Sequence, residues 1–158
     1  MDSVDFYADP ANSIGYLSRI AFRAFSRALE RRTAPHGVSS GQWRFLRVLW
    51  RNDGITQREL SRQVGLREPT TVIALKGMER AGLVRRRKSA EDRRKAHVYL
   101  TPQARELESV LMPAVAEVNA LALAGLTAEE VAVLRRALAQ VGRNLAEAGE
   151  EPLSDSAV

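Results

Sequence analysis

The side chains with the clearest chemical potential in this sequence are basic, and they are concentrated between residues 51 and 100. That segment holds thirteen Lys and Arg against six Asp and Glu, whereas residues 101–158 hold four against nine. Guanidinium and ammonium groups gathered in one segment attract phosphate groups, so the pattern indicates a nucleic acid partner. The alternative is an ordinary solvated basic loop, which charge alone does not exclude.

Residues suited to enzyme chemistry are scarce. The two histidines, His36 and His97, stand 61 positions apart, and neither belongs to a recognisable Ser/His/Asp set. The absence of cysteine excludes disulfides, thiol redox sensing and thiolate metal sites. No zinc spacing, Gly-rich phosphate loop or paired-carboxylate motif is present. We therefore expect a protein that is not an enzyme and that needs no cofactor or metal.

Length and composition set the outer bounds. A chain of 158 residues with 45% hydrophobic residues can form one domain, with or without dimerisation arms. The acidic start of the chain lacks an apolar run, so no signal peptide is expected, and no stretch of about 18 apolar residues predicts a membrane span. These features predict a cytoplasmic protein that does not enter a membrane.

The spacing of apolar residues predicts about six helices and one β-hairpin. The first helix covers roughly residues 12–32, with Ser13 as its N-cap, and the second begins after Ser39 or Ser40. A third helix starts at Thr56 with a capping box to Glu59, and a fourth opens at residues 68–69. Two strands follow, and then come a fifth helix with a bend expected at Pro113 and a sixth with a capping box at residues 127–130. The fold class is mainly α with a small β-hairpin wing.

The third and fourth helices have the order and spacing of a helix-turn-helix, in which the second helix enters the major groove of DNA. Thr71, Ala74, Leu75 and Met78 are predicted to face the core, which turns Val72, Ile73 and their polar neighbours outward. Exposed Val72 and Ile73 suit contact with thymine methyl groups. The alternative is a helix phase that is wrong by one position, with both residues packed inside.

The strongly basic hairpin after the fourth helix is predicted to act as a wing whose tip enters the minor groove. Asp92 is placed to orient Arg94 through a charge-assisted hydrogen bond, although such a pair can also be an ordinary surface contact worth almost nothing. The full set of expected DNA-binding residues is Thr56, Gln57, Arg67, Pro69, Thr70, Val72, Ile73, Lys76, Arg87, Arg93, Arg94 and Lys95.

Several of these motifs together resemble the MarR family of bacterial transcriptional regulators. They are Leu-x-x-x-Val-Gly-Leu at residues 60–66, Pro-Thr-Thr-Val at 69–72, Met-Glu-Arg-Ala-Gly-Leu-Val at 78–84, Asp-Arg-Arg-Lys at 92–95 and Leu-Thr-Pro at 100–102. The resemblance extends over roughly residues 12–148. One departure is the apolar pair Val72 and Ile73, where similar proteins often have polar residues, so base contacts at these two positions do not follow from the resemblance.

The resemblance implies a homodimer in which N- and C-terminal helices interlock and two winged lobes bind one palindrome. The sixth helix independently shows apolar residues alternating by three and four, as in a coiled-coil seam. We expect residues 38–101 to form the DNA-binding lobe, residues 12–34 and 102–148 the dimerisation region, and residues 1–11 and 149–158 flexible tails. The expected dimer contacts are Leu107, Leu111, Val131, Leu134, Leu138, Val141 and Leu145.

The resemblance also implies repression that a small phenolic or aromatic acid relieves by binding between the dimer helices and the lobe. On this chain it suggests Tyr16, Arg19, Ile20, Arg23, His36, Trp43, Phe45 and Leu46. Arg19 and Arg23, four residues apart, could hold a carboxylate, and the many arginines of this helix could instead bind DNA phosphates or a CoA thioester. The simpler interpretation is that the aromatic residues belong to the core and the arginines are solvated.

The sequence therefore predicts a sequence-specific DNA-binding regulator, most simply a homodimeric repressor released from a pseudo-palindromic operator by a small aromatic effector. The lack of cysteine argues against a peroxide-sensing member of the family. Two alternatives come from other classes. One is an architectural DNA-binding protein without ligand control, and the other is a protein-interaction module, against which the basic charge of residues 51–100 counts.

Overall fold

The computed structural model describes residues 9–149, which form six α-helices, one β-hairpin and two short 3-10 turns. The α-helices are α1 (Ile14–Thr33), α2 (Ser40–Leu49), α3 (Gln57–Val64), α4 (Glu68–Arg80), α5 (Pro102–Ala122) and α6 (Ala128–Glu147). The strands β1 (Val84–Lys88) and β2 (Ala96–Leu100) pair antiparallel, from Val84 opposite Leu100 to Lys88 opposite Ala96. The fold class predicted from the sequence is confirmed. None of the helices in the described part is both long and apolar enough to cross a membrane.

Side-chain caps fix most helix starts where the sequence predicts them. The hydroxyl of Ser13 accepts a hydrogen bond from the Tyr16 amide, and Ser39 and Thr127 each begin a complete capping box. The capping box predicted at α3 is only half formed. Thr56 Oγ1 accepts from the Glu59 amide at 3.2 Å, but the Glu59 carboxylate binds Arg62 and not the Thr56 backbone. A cationic donor one turn along the helix competes successfully for that carboxylate.

One other detail differs from the expectations: Pro10–Asn12 form a 3-10 turn capped by the Asp9 side chain, although residues 9–11 were assigned to a flexible tail. Helix α4 begins at Glu68, and Pro69 is its second residue. Helix α5 continues through Pro113 to Ala122, and the bend expected at Pro113 stays a prediction. The rest of the predicted tails, residues 1–8 and 150–158, lies outside the described residues.

The core lies inside the lobe built from α2, α3, α4, the hairpin and the start of α5. Its fully buried side chains come from every one of these elements, and they include Leu46, Leu49, Leu60, Leu75, Met78, Val98 and Leu111. Removing such side chains from water contributes about 1.5–3 kcal/mol each. This core fixes the orientation of α4 and the hairpin relative to each other.

Three hydrogen bonds join the lobe to the N-cap and first turn of α5, and a fourth joins Asp53 to the end of β2. The Trp50 indole Nε1 donates to the Ala104 carbonyl at 2.8 Å, and the Thr101 hydroxyl donates to the Gly82 carbonyl at 2.7 Å. Asp53 accepts from the Leu100 amide at 2.8 Å and from the Arg105 guanidinium at 2.5 Å. A displacement of α5 would therefore be transmitted to the base of the hairpin.

Helix α6 contributes no buried residue to the protomer. Four of its five predicted seam residues, Leu134, Leu138, Val141 and Leu145, are exposed, and Val131 is half-buried. The two α5 residues assigned to the dimer differ from these: Leu111 is fully buried, and Leu107 is half-buried against the core. The assignment of Leu111 to the dimer is corrected, because a side chain enclosed by its own chain cannot form a surface for a partner, and the assignment of Leu107 stays a prediction.

Candidate nucleic-acid interface

Helix α4 presents the face that the sequence predicted. Thr71, Leu75 and Met78 are fully buried, whereas Ile73 is 71% exposed and Val72 is half-buried. The alternative helix phase, with both Val72 and Ile73 in the core, is therefore wrong. Lys76 is exposed and Thr70 half-buried beside them, so the outer face of α4 combines hydrogen-bonding groups with two branched apolar side chains.

A cleft of about 350 Å³ lies between the N-terminal ends of α3 and α4 and the tip of the hairpin. It brings together side chains that are far apart in the sequence, because the hairpin folds back across α3. Exposed Arg67 and Pro69 stand at the start of α4. The residues that line the cleft are Thr56, Gln57, Arg58, Glu68, Asp92, Arg94, Lys95 and Ala96.

The hairpin carries its charge outward. The side chains of Arg85, Arg87, Lys88, Arg93, Arg94 and Lys95 are all exposed. The carboxylate of Asp92 accepts from the Arg94 backbone amide at 3.0 Å and from its Nε at 3.3 Å, as predicted for a wing-orienting residue. Because the Arg94 side chain is 92% exposed, this contact orients the guanidinium without neutralising it in a buried environment.

Aromatic packing fixes the base of the wing. The Arg87 guanidinium lies 5.7 Å above the ring of Tyr99 on the paired strand. The same ring lies against Gly54, where a Cβ atom would come within 2.7 Å of Tyr99 Cε1. Gly54 also has a φ of +80°, so this turn needs glycine both for its backbone and for the ring. Arg87 is thus presented on a rigid support.

One arginine of β1 is directed inward. Arg86 Nη2 donates to Glu79 Oε2 at 2.7 Å, its Nη1 donates to Gln57 Oε1 at 3.3 Å, and its backbone amide donates to Glu79 Oε1 at 3.2 Å. The hydrogen bond from the Arg86 side chain lowers the pKa of Glu79 and raises that of Arg86. Alternation along a strand places Arg86 on the face opposite to Arg85 and Arg87, but its partner Glu79 could not be identified from the sequence.

A cavity of about 300 Å³ opens between α1, α2 and α5. Its lining combines apolar side chains with serine, asparagine and arginine side chains. Of the eight residues predicted to bind an effector, Trp43 lines it. The complete lining is Phe22, Phe25, Ser26, Leu29, Ser40, Trp43, Arg44, Arg47, Val115, Val118 and Asn119.

A second hollow of about 390 Å³ continues from this cavity along α1 and α2, and Arg23 lines it. Three arginines reach it, Arg23, Arg27 and Arg44, together with Ser26 and Ser40. Its cationic character matches the prediction that arginines of α1 can hold an anion, although Arg23 acts here with Arg27 and not with Arg19.

The other predicted effector residues lie elsewhere. Tyr16 and Ile20 are exposed near the start of α1, and the Arg19 guanidinium lies 5.5 Å above the Tyr16 ring. His36 is exposed in the 3-10 turn after α1. Leu46 is fully buried in the lobe core, and Phe45 is almost fully buried. Phe45 also lines a separate small hollow between α2 and α4. The placement of Leu46 in an effector site is corrected, because a side chain enclosed by the core cannot reach a ligand.

Sequence reasoning missed Phe22, Phe25 and the α5 residues of the cavity. The spacing of Phe22, Ser26 and Leu29 on one face of α1 could have indicated the first of these. The contributions from α5 required the packing of α5 against α1. Within residues 9–149, no group of three His, Asp or Glu side chains is arranged to hold a metal ion.

Comparison with known proteins adds independent information. A family model described as MarR family matches residues 36–95, which contain α2 to α4 and the wing up to its tip. The HTH-type transcriptional regulator TtmR of Methylorubrum extorquens (strain PA1) is 33% identical over 88 residues, which make up 56% of this chain and 45% of that protein. The chain therefore spans less than half the length of that curated relative.

Solved structures extend the similarity beyond the lobe. The crystal structure of transcriptional regulator PA3341 is 38% identical, with a TM-score of 0.73 over 85% of this chain and 99% of that one. The structure of reduced AbfR bound to DNA has a TM-score of 0.72 over 87% of this chain and 95% of that one. At 22% identity, the second similarity concerns the fold alone. These relatives are transcriptional regulators and not enzymes. The chain belongs to the MarR family of transcriptional regulators.

Proposed function

We propose that this regulator is a homodimeric repressor that binds a pseudo-palindromic operator and is released by a small aromatic acid or its CoA thioester. The observation that carries the DNA-binding part is the joint surface of α4 and the wing. On that surface an exposed recognition face stands beside six exposed basic side chains of one hairpin. AbfR, which has a similar fold, has been solved bound to DNA, and this supports the same docking mode here.

The outer face of α4 and the wing, which together form this surface, each contact a different groove of the DNA. The outer face of α4, with Thr70, Ile73 and Lys76, enters the major groove and reads base edges and thymine methyl groups. The wing then reaches the adjacent minor groove, where Arg94 and its neighbours meet the strongest negative potential. Backbone contacts at the start of α3 set the position of the lobe on the duplex.

Dimerisation is supported by the exposed apolar stripe of α6. A twenty-residue helix that has no fully buried residue, and of which Val131 alone is half-buried, has little reason to persist in water, because tertiary packing supplies most helix stability. The exposed apolar side chains Ile14, Leu17 and Leu121 on α1 and α5 extend the same kind of surface. A second copy of the chain, carrying the same stripes, covers them in a two-fold arrangement.

The cavity beside Trp43 supports the effector. Its apolar lining residues Phe22, Phe25 and Val118 suit an aromatic ring, and the Arg44 and Arg47 side chains that also line it suit a carboxylate. The adjoining hollow with Arg23 and Arg27 has room for a larger anionic group such as the phosphates of a CoA thioester. Because Trp43 contacts Trp50, whose indole holds the start of α5, a ligand here is coupled to the joint between lobe and arms.

Selection of duplexes from a random pool by the unaltered protein tests the DNA-binding proposal. We expect inverted half-sites about one helical turn apart, bound at least a thousandfold more tightly than random duplex at the same salt concentration. An architectural protein would instead enrich no inverted repeat. It would also bind selected and random duplexes within a few fold of each other.

A thermal-shift screen with benzoate, hydroxybenzoates and their CoA thioesters tests the effector, because a ligand that binds only the folded state raises the melting temperature. A compound that does so should also release the selected duplex. Arg47→Ala should reduce the shift at a given ligand concentration, whereas the control Arg19→Ala, outside the cavity, should not. An equal loss in both variants would reject the cavity as the site.

A further inference from the structure

We propose that Glu79 and Arg86 are positioning residues for DNA binding. On this proposal their contact with Gln57 sets the angle of the wing relative to α4, and Arg86 does not itself bind a phosphate. The inference rests on the proposed DNA-binding function and concerns the same surface. It assigns Arg86 a role different from that of Arg85 and Arg87, although all three arginines of β1 carry the same charge.

The geometry of this contact joins three elements at one point. Glu79 lies near the end of α4, Arg86 in the middle of β1, and Gln57 at the start of α3. The Glu79 carboxylate receives both the side chain and the backbone amide of Arg86, so the strand is held along two directions. The second guanidinium arm reaches the Gln57 amide oxygen, which fixes that amide at the edge of the cleft between the wing and α3.

Burial and charge distinguish Arg86 from the other wing cations. Its side chain is 22% exposed and that of Glu79 is 32% exposed, compared with 92% for Arg94. A guanidinium whose charge is balanced by a carboxylate at 2.7 Å releases few counterions when DNA binds. Arg85 and Arg87, one position to each side, are exposed and face the other way.

The Glu79–Arg86 contact also predicts an unusual result: removal of an acid beside the DNA-binding surface should weaken DNA binding. Glu79 is an acid close to a DNA-binding surface, so by simple electrostatics its removal should strengthen binding to the phosphate backbone. If Glu79 holds the wing, its removal should weaken binding, because the wing then samples orientations that miss the minor groove. The two interpretations therefore differ in the direction of the change.

The test uses the full chain and a duplex selected from a random pool by the unaltered protein. Affinity is measured for Glu79→Gln and for Glu91→Gln, which removes an exposed acid at the wing tip, over a range of salt concentrations. We expect Glu79→Gln to weaken binding about tenfold with the salt dependence unchanged, whereas Glu91→Gln leaves binding equal or slightly tighter. Equal or tighter binding by Glu79→Gln overturns the proposal.

A matched pair on β1 tests Arg86 directly. Arg87→Gln should lower the slope of log affinity against log salt by about one, as expected for a lost phosphate contact. Arg86→Gln should weaken binding while leaving that slope unchanged, and hydroxyl-radical protection should be lost at the flanks covered by the wing but kept where α4 lies. A slope change of about one for Arg86→Gln would identify it as a phosphate contact and overturn the proposal.

Two controls separate a loss of folding from a loss of the positioning role, and a failure of that role from a failure of the proposed DNA binding. If Glu79→Gln is not folded at the assay temperature, Glu79→Asp takes its place, since it keeps the charge and withdraws the carboxylate by one methylene. The same loss of affinity is expected, and unaltered affinity overturns the proposal. If the unaltered protein selects no duplex at all, the proposed function fails, and the positioning role fails with it.

Discussion

At the scale of single residues, the most distinctive feature is an isoleucine exposed on a recognition helix. From the sequence alone, Val72 and Ile73 could both pack inside, and the 71% exposure of Ile73 excludes this. An exposed Ile73 has no role in the stability of the protomer. Its side chain is therefore available to pack against a thymine methyl group.

This gives a prediction for Ile73→Ala. Binding to the selected duplex should weaken by about 1 kcal/mol, or roughly fivefold, because apolar contact area at the groove is lost. Binding to random duplex and the melting temperature should not change. Equal losses on selected and random DNA would show that Ile73 does not contribute to specificity.

Arg94 supports a second prediction at this scale. Asp92 orients the Arg94 guanidinium, and the Arg94 side chain is 92% exposed. It is therefore free to contact a phosphate or to enter a minor groove. Arg94→Ala should weaken DNA binding and flatten the salt dependence by about one phosphate equivalent. Arg143→Ala, on α6 and remote from the wing, serves as the control. If the affinity and slope of Arg94→Ala match the unaltered protein, the tip of the wing does not bind DNA.

Residue-level prediction from sequence worked where partners are close in the chain. Asp92 and Arg94 are two positions apart, and their contact could be predicted from local geometry. Glu79 and Arg86 are seven positions apart across a tight turn, and Gln57 is much further away, so their contact required the packed lobe. The effector assignment of Leu46 was wrong for a related reason, because this side chain is fully buried in the lobe core. Helical spacing shows that residues share a face but not which neighbour covers that face.

At the scale of elements, local chemistry determined most of the boundaries. Hydroxyl N-caps at Ser13, Ser39, Thr56, Thr101 and Thr127 begin five of the helices. The same physics explains the failed half of the capping box at α3, where two donors of the helix itself, Arg62 and Gln63, bind Glu59. The sequence permits Glu59 to bind either the Thr56 backbone or Arg62 and Gln63, and in the folded helix it binds Arg62 and Gln63.

That competition predicts a dependence of stability on pH. Hydrogen bonds from Arg62 and then Gln63 lower the pKa of Glu59 from 4.5 to about 2. A carboxyl with a lowered pKa stabilises the fold fully above its ordinary value, and this contribution is lost as pH falls from 4.5 towards 2. Thermal melts across this range should show a smaller loss for Glu59→Gln than for the unaltered chain, with Gln63→Ala between them. Identical slopes for all three would show that the contact does not form in solution.

At the scale of the whole molecule, the lobe has a closed core, whereas α6 leaves Leu134, Leu138 and Leu145 exposed. A coiled-coil pattern on α6 is visible in the sequence without any partner, and the exposed stripe fits the proposed symmetric dimer. The burial of Leu111 within its own chain could not be predicted, because an apolar stripe on α5 looks the same whichever surface covers it.

The seam makes a prediction about assembly. Leu138→Asp should convert a dimer to a monomer at micromolar concentration and abolish binding to an inverted repeat, because a carboxylate would be buried in an apolar interface. Ala139→Asp adds the same charge outside the seam and should leave the dimer intact. A Leu138→Asp protein that remains dimeric in analytical ultracentrifugation would place the interface elsewhere.

The central claim is that two copies of this chain bind one DNA site through symmetric winged lobes. The mass of the complex between the unaltered protein and a selected duplex, measured by analytical ultracentrifugation, tests it most directly. The account predicts two chains per duplex, with no stable complex of one chain at intermediate protein concentrations. A complex of one chain per duplex, or a continuous increase in the number of chains with protein concentration, would contradict it.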